Sequence, residues 1–363
     1  MSDLDGFRQE IRDWLEANCP AEMREPARDE ADVCWGGRNF KFKNPAQKAW
    51  LEACVAKGYT VPDWPEAYGG AGMSPAQAKI WREECTRLGA RPPLSSFGIW
   101  MLGPALLKFG TEEQKVHYLG EIARGEIRWC QGYSEPGSGS DAAALKTTAV
   151  RDGDHYVVSG EKVFITSGMR ADYFTVAVRT DPNNKGAGGV SALMIEGDTP
   201  GFTRTPLKKM GWWASDNAHL RFDQVRVPVA NLLGVENQGF KVFMNNFNAE
   251  RLGMSAQACM FAQVCLQEAV DWARERHTFG QPLSQRQVIR HKLVDMAMRI
   301  EAARSLTYEL AWQVQHQVGR TTLAARDPAA CGAGQDRGVT PAIEKDKTLF
   351  AARQTRLDRG NQG

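Results

Sequence analysis

Near the start of the chain Leu4, Phe7, Ile11 and Trp14 recur at spacings of three and four, which draws one apolar stripe down a helix. Shorter helical patterns follow over 46–57, 75–88 and 102–124, broken by Pro/Gly punctuation such as VPDWPEAYGGAGMSP. From about residue 128 the period changes. HYVVSG, EKVFITSG, YFTVAVRTD, VSALMIEG and AHLRFDQVRVP are short, rich in β-branched and aromatic residues, and separated by turns such as Asp152-Gly153. Strands this close together, with no helix between them, predict an antiparallel sheet or small barrel. After Gly239 the helical period returns, first over about 242–275. Ile289, Leu293, Met296, Ile300, Ala303, Leu306, Leu310 and Val314 then step by three or four, the stripe of a helix about 40 Å long of the kind found in bundles.

The pattern therefore predicts an α+β multidomain chain: an N-terminal helical domain (1–127), a middle antiparallel β-barrel (128–238) and a C-terminal helical bundle (239–320). Residues 321–363 stand apart. Only six of these 43 residues are Val, Ile, Leu, Met, Phe, Trp or Tyr, too few for a face buried against a bundle, and the segment reads as a disordered or foreign end.

Composition changes this picture little. With 42% hydrophobic and 24% charged residues the chain is an ordinary globular one, and a net charge of +2 argues against a polyanion as partner. The eight cysteines contain no CxxC pair and read as reduced thiols; the six histidines nowhere reach metal-ligand spacing. The acidic N-terminus is unlike a signal or transit peptide, and no apolar run of about 18 residues exists to cross a bilayer, so the expected location is the cytoplasm.

Four places carry candidate chemistry. The turn Glu135-Pro136-Gly137-Ser138-Gly139-Ser140-Asp141 offers glycines and hydroxyls to a phosphate or a flavin, or is an ordinary loop; no strand–turn–helix unit makes it a dinucleotide fingerprint. Glu250, in FNAERLGMSA, is either a base in a partly apolar pocket or a carboxylate favoured early in a helix. Arg276, Thr278 and Phe279 either clamp a pyrophosphate or close a helix whose C-terminus favours basic residues. The aromatic run GWWASDN at 211–217 lines a pocket or packs.

Taken in order, YSEPGSGSD (133–141), GEKVFITSG (160–168), WASDNAHLRFDQVRVP (213–228), NLLGVENQGFKV (231–242) and RERHTFGQPL (274–283) with Gln287 make the chain resemble the acyl-CoA dehydrogenase family over roughly residues 4–318. The resemblance implies a helical domain, a middle barrel and a four-helix bundle, assembled as a tetramer or dimer around FAD. It places Tyr133 and Ser134 beside the flavin ring, with Gly139 in the same turn, and Ser140 near both flavin and acyl-CoA. It sets Phe164 against the isoalloxazine and Thr166 at flavin N5. Arg276, Thr278, Phe279 and Gln287 match residues sent to the FAD of a neighbouring subunit, and Asn248 and Arg251 match positions along the acyl-CoA path.

The same resemblance assigns the catalytic base. The family carries its glutamate either near the C-terminus, in a segment absent here, or on the long helix in a Glu-Arg-Leu context, as isovaleryl-CoA and long-chain members do; Glu250-Arg251-Leu252 matches the second placement. The implied reaction removes an α-proton and a β-hydride from an acyl-CoA to give a trans-2-enoyl-CoA, with electrons passed to an electron-transfer flavoprotein. An acyl-CoA oxidase on the same fold is the competing enzyme, and a flavin monooxygenase, which needs no such base, is disfavoured. After Gly319 the family continues with two further bundle helices and a Gly-Gly segment that residues 321–363 do not resemble. A frameshift or truncation near residue 320 is the expectation. The non-enzyme alternative is a relic unable to hold FAD.

Overall fold

The structure, a computed structural model, describes residues 3–316 apart from Ala214 and the side chains of Asn248 and Ala249. The segment 321–363 and the Asn248 side chain therefore lie outside the described residues. The chain divides into two compact units that meet in sequence between Asn246 and Phe247.

The first unit opens with five α-helices: α1 (Asp3–Asn18), α2 (Pro45–Ala56), α3 (Pro75–Leu88), α4 (Gly103–Phe109) and α5 (Glu112–Arg124). Local chemistry sets their ends. Ser74 and Gln77 form a reciprocal capping box at the start of α3, with Pro75 in its first turn and the left-handed Gly89 at its end. Thr111 and Gln114 do the same for α5. That box, behind Gly110, splits the single pattern read over 102–124 into two helices, and a π-helical turn at Gly98–Leu102 precedes them. The α1 stripe runs through Phe7, Ile11 and Trp14 to Leu15, with the Trp14 ring 5.7 Å from Trp50 and 4.8 Å from Tyr59; Leu4, at the helix start, is 42% exposed.

Eight strands follow: β1 (Trp129–Gly132), β2 (Thr148–Asp152), β3 (His155–Thr166), β4 (Tyr173–Arg179), β5 (Val190–Glu196), β6 (Phe202–Pro206), β7 (Asn217–Pro228) and β8 (Leu232–Leu233). The order is β6-β7-β3-β2-β4-β5-β8, with β1 set parallel on β4. The sheet-rich middle domain expected as an antiparallel β-barrel is present, mostly antiparallel with parallel pairs at β1–β4 and β2–β4, and among the described residues no closed barrel is found. Among the described residues no pairing joins the end strands β6 and β8, and β2 meets β4 only at Thr148 and Arg179, in parallel. Six consecutive residues of β4 and of β5 are buried, so both faces of these strands are covered. Val158, Phe174, Val176, Leu193, Leu220 and Val225 meet in one core.

After the sheet, α6 (Gly239–Glu275) leads into the second unit, where a short hairpin of β9 (His277–Thr278) and β10 (Gln281–Pro282) turns the chain into α7 (Gln287–Gln315). The α7 stripe buries Ile300 but leaves Leu310 and Val314 38% and 54% exposed. No helix among the described residues is long and apolar enough to cross a membrane.

Candidate functional site

In the first unit the site is built where β1 runs out into the loop 133–141. Glu135 is the anchor of that loop. Its backbone N–H donates to the Ser138 carbonyl at 2.8 Å, and its carboxylate accepts from the backbone N–H groups of Lys146 and Thr147 at 2.7 and 2.9 Å. The buried Lys162 of β3 completes the anchor, with Nζ 2.8 Å from Glu135 Oε1 and 3.1 Å from the Tyr133 carbonyl. One residue on, the Val163 N–H donates to the Ser134 carbonyl at 2.9 Å. These bonds fasten Tyr133 and Ser134 against β3 at the residue before Phe164.

β3 changes face at that point. Lys162 pairs with Leu220 and Ile165 with Ala218, so β3 carries one extra residue and a bulge over Val163 and Phe164. Without the bulge Phe164 would share the inward phase of Lys162. With it, Ile165 turns into the core and Phe164 turns out, 72% exposed and with a φ of 61°, a left-handed backbone rare for a bulky residue. Thr166, two residues on, is exposed, and Ser167 is again left-handed at φ 62°. The turn after it is held by Asp216, which accepts from the Met169 N–H at 2.8 Å and from Arg170 Nε at 2.7 Å.

Of the residues expected from the sequence, Tyr133, Ser134, Phe164 and Thr166 thus come together, with Gly139 and Ser140 exposed on the same loop. A Cβ at Gly137 or Gly139 would meet no atom within 4 Å, so the outer side of the loop is open to approach. The Tyr133 ring packs 4.4 Å from that of Phe243 on α6. An exposed flat ring on β3, held beside Ser134 and followed by the exposed Thr166, with an open glycine loop, suits a planar heteroaromatic group with polar edges and a phosphate arm, and these residue types fit a flavin nucleotide.

In the second unit Thr278 pairs with Gln281 across a two-residue turn whose central residues, Phe279 at φ 50° and Gly280 at φ 76°, are both left-handed. The turn leaves Phe279 99% exposed, with the Arg286 guanidinium 5.7 Å from its ring centroid. Arg286 also donates to the Thr278 carbonyl, and the Leu283 N–H to the Arg276 carbonyl, both near hydrogen-bond ideal lengths of 2.6 and 2.8 Å. Arg276, Thr278, Phe279 and, at the first turn of α7, Gln287 are thereby gathered at one end of the unit. Glu250 is not among them. It is half-buried on α6, beside an exposed Arg251 whose guanidinium lies 5.6 Å from the Phe247 ring, and about 38 Å of helix separates it from the hairpin at ~1.5 Å per residue.

Sequence reasoning missed Lys162 and Asp216. Lys162 left a signal: it has the same parity along β3 as the buried Tyr156 and Val158, and a lysine on an inward strand position calls for a buried acid. Asp216 left none, because its partners are set by the turn after β3.

With this geometry in place, comparison with known proteins decides the family. Family models for the N-terminal, middle and C-terminal domains of acyl-CoA dehydrogenase match residues 2–126, 130–225 and 237–328. The acyl-CoA dehydrogenase FadE26 of Mycobacterium tuberculosis is 37% identical over 348 residues, covering 95% of this chain and 83% of the relative. The chain belongs to the acyl-CoA dehydrogenase family. An acyl-CoA dehydrogenase of Bacillus subtilis is 41% identical over 249 residues, and that match spans 68% of this chain but 65% of the relative's length. Among solved structures, butyryl-CoA dehydrogenase from Megasphaera elsdenii superposes with a TM-score of 0.62 at 31% identity, over 87% of this chain and 81% of that one.

Proposed function

We propose that this family member is an FAD-dependent dehydrogenase that converts an acyl-CoA thioester into a trans-2-enoyl-CoA and hands the electrons to an electron-transfer flavoprotein. The observation that carries the reading is the β3 bulge, which turns Phe164 outward beside Ser134 and Thr166 at the cost of a left-handed backbone. Strain of that kind persists where function needs the side chain it presents.

In this reading the Phe164 ring supports the flavin face, and Tyr133, Ser134 and Thr166 supply polar contacts to its edge. Gly139 and Ser140 admit the phosphate arm and the acyl-CoA. FAD, when bound, supplies the acceptor for the β-hydrogen as hydride. Glu250 takes the α-proton onto its carboxylate. That proton is weakly acidic, so the base has to be drier than a surface glutamate, and the half-buried position of Glu250 supports the assignment. Asn248 and Arg251 follow the acyl-CoA path on the same helix.

The length of helix between Glu250 and the Arg276–Phe279 hairpin supports a homo-oligomer, tetramer or dimer, in which Arg276, Thr278, Phe279 and Gln287 serve the FAD of a neighbouring copy. The seven described cysteines are all free thiols, which supports the cytoplasm as its location.

The test is a visible spectrum of the purified protein under anaerobic conditions, before and after addition of acyl-CoAs of graded chain length. A flavin band that bleaches with one chain class is the expected result. A colourless protein that takes up no added FAD would overturn the reading in favour of a relic. Oxygen consumption at the turnover rate would replace the dehydrogenase with an oxidase.

A further inference from the structure

In the first unit, on the side of the turn after β3, a groove of about 740 Å³ lies between the segment 29–41 and residues 169–172. Its charges are mostly spoken for. Arg170 pairs with Glu30 and Asp216, Arg38 with Glu196, and Asp172 accepts from the backbone N–H groups of Arg38 and Arg128. Arg128 and Arg204 are different: both line the groove, and among the described residues no carboxylate pairs with either.

Arg128 is 5% exposed. Its guanidinium lies 4.9 Å from the Trp35 ring centroid, its Nη2 donates to Ser167 Oγ at 2.8 Å, and its Nε is buried without any partner. Arg204 donates one N–H to the Ala171 carbonyl at 2.8 Å and lies over the rings of Phe174 and Phe202 at 5.6 and 6.0 Å. An arginine this deep, with a neutral hydroxyl as its one side-chain acceptor, has its charge compensated only at a distance, by Asp216 and Glu30, and by no carboxylate in direct contact. Burial pushes its pKa below the ordinary arginine value and the nearby Arg170 adds to the effect, which Asp216 and Glu30 offset only in part. The aromatic faces fix the guanidinium planes, which is the preparation that fork-like recognition of an oxyanion requires.

We propose that this groove binds a small organic anion whose phosphate or carboxylate seats on Arg128, with Arg204 as second donor. The volume is that of a small-molecule site. The ligand is distinct from acyl-CoA and flavin in this assignment, because none of the residues read as holding those groups lines the groove.

The test titrates the full chain with sodium phosphate and, separately, sodium acetate at ionic strength held constant with sodium chloride, following melting temperature and tryptophan emission. A saturable rise in melting temperature with either anion, absent with chloride, is expected. Response to phosphate alone or acetate alone names the group recognised. The apparent dissociation constant should rise at least tenfold in Arg128→Met and by a smaller factor in Arg204→Gln, which removes a charge from a half-buried position and keeps the fold readable if Arg128→Met does not fold. No saturable response to either anion overturns the proposal. So does an affinity that Arg204→Gln leaves unchanged, which would mean an adventitious ion only.

Discussion

Lys162 Nζ lies 2.8 Å from Glu135 Oε1, with both side chains buried, and this pair joins the middle of β3 to the loop that carries Tyr133, Ser134 and Ser140. The same lysine reaches the Tyr133 carbonyl, so one ammonium group positions the loop and the residue that opens it. Two residues further along β3 the bulge exposes Phe164. The anchor and the exposed ring are thus parts of one stretch of strand.

Lys162→Met should destabilise the protein by about 3–5 kcal/mol, because it leaves the Glu135 carboxylate buried and short of its cation. Glu135→Gln in the same chain removes the orphaned charge but keeps an acceptor oxygen for only one of the Lys146 and Thr147 amides, so the double variant should recover part of the loss. Burial pushes the Lys162 pKa down from 10.5 to about 8. Between those values the unfolded chain holds more protons than the folded one, so this group makes stability rise with pH across that window. Urea unfolding at pH 7, 8 and 10 would show the slope in the wild type and its loss in Lys162→Met; a slope unchanged by the substitution rejects the assignment.

Phe164→Gly separates fold from site. The ring is 72% exposed and its backbone left-handed, so glycine relieves strain and removes no core contact. Thermal stability of the flavin-free protein should hold or rise by up to about 1 kcal/mol, while flavin retention on gel filtration drops. Equal flavin retention in the variant and the wild type would detach Phe164 from the cofactor.

How much of this the sequence reveals depends on where the information lies. The caps at Ser74 and Gly89 are local chemistry, and the helix they bound is readable to within a residue or two, whereas the Thr111 box breaks a stretch whose period reads as one helix. The cover on both faces of β4 and β5 is not readable, because their mostly apolar runs reveal it only once the chain packs. Phe164 is nameable by resemblance, yet its exposure follows from one extra residue between Lys162 and Ile165, a register change that alternation alone conceals. Likewise the α7 stripe predicts a helix correctly, but periodicity does not say what covers Leu310 and Val314.

Glu84 sets an acid limit for the helical part. Its carboxylate, 3% exposed, accepts from Arg12 at 3.0 and 3.1 Å, from Arg8 at 3.1 Å and from Arg87 at 2.6 Å. The Arg12 bonds lead in holding its pKa down to about 2. A carboxylate depressed in the folded state contributes stability above its unfolded pKa near 4.5 and loses it as pH falls toward 2. Since the arginines are partly solvated, Glu84→Gln should cost about 1–2 kcal/mol at pH 7. Denaturant midpoints of the two proteins should differ at pH 7 and draw together as pH falls from 4.5 toward 2; a constant difference would place the effect in packing.

Glu250→Gln tests the chemistry itself. Glutamine preserves size and one acceptor but cannot take a proton, so a chain whose base is Glu250 should bind acyl-CoA about as tightly and reduce its flavin about 10²–10⁴-fold more slowly. Stopped-flow bleaching of bound FAD under argon reads the step directly, and titration of the flavin spectrum with acyl-CoA reads binding without turnover. Arg251→Gln should behave in the opposite way: Arg251 stands next to Glu250 on α6, exposed and with its guanidinium 5.6 Å from the Phe247 ring, so its loss should raise the substrate concentration needed and leave the limiting rate within about tenfold. If Glu250→Gln bleaches at the wild-type rate, the α-proton goes to another group, and the Glu-Arg-Leu context on α6 does not mark the base.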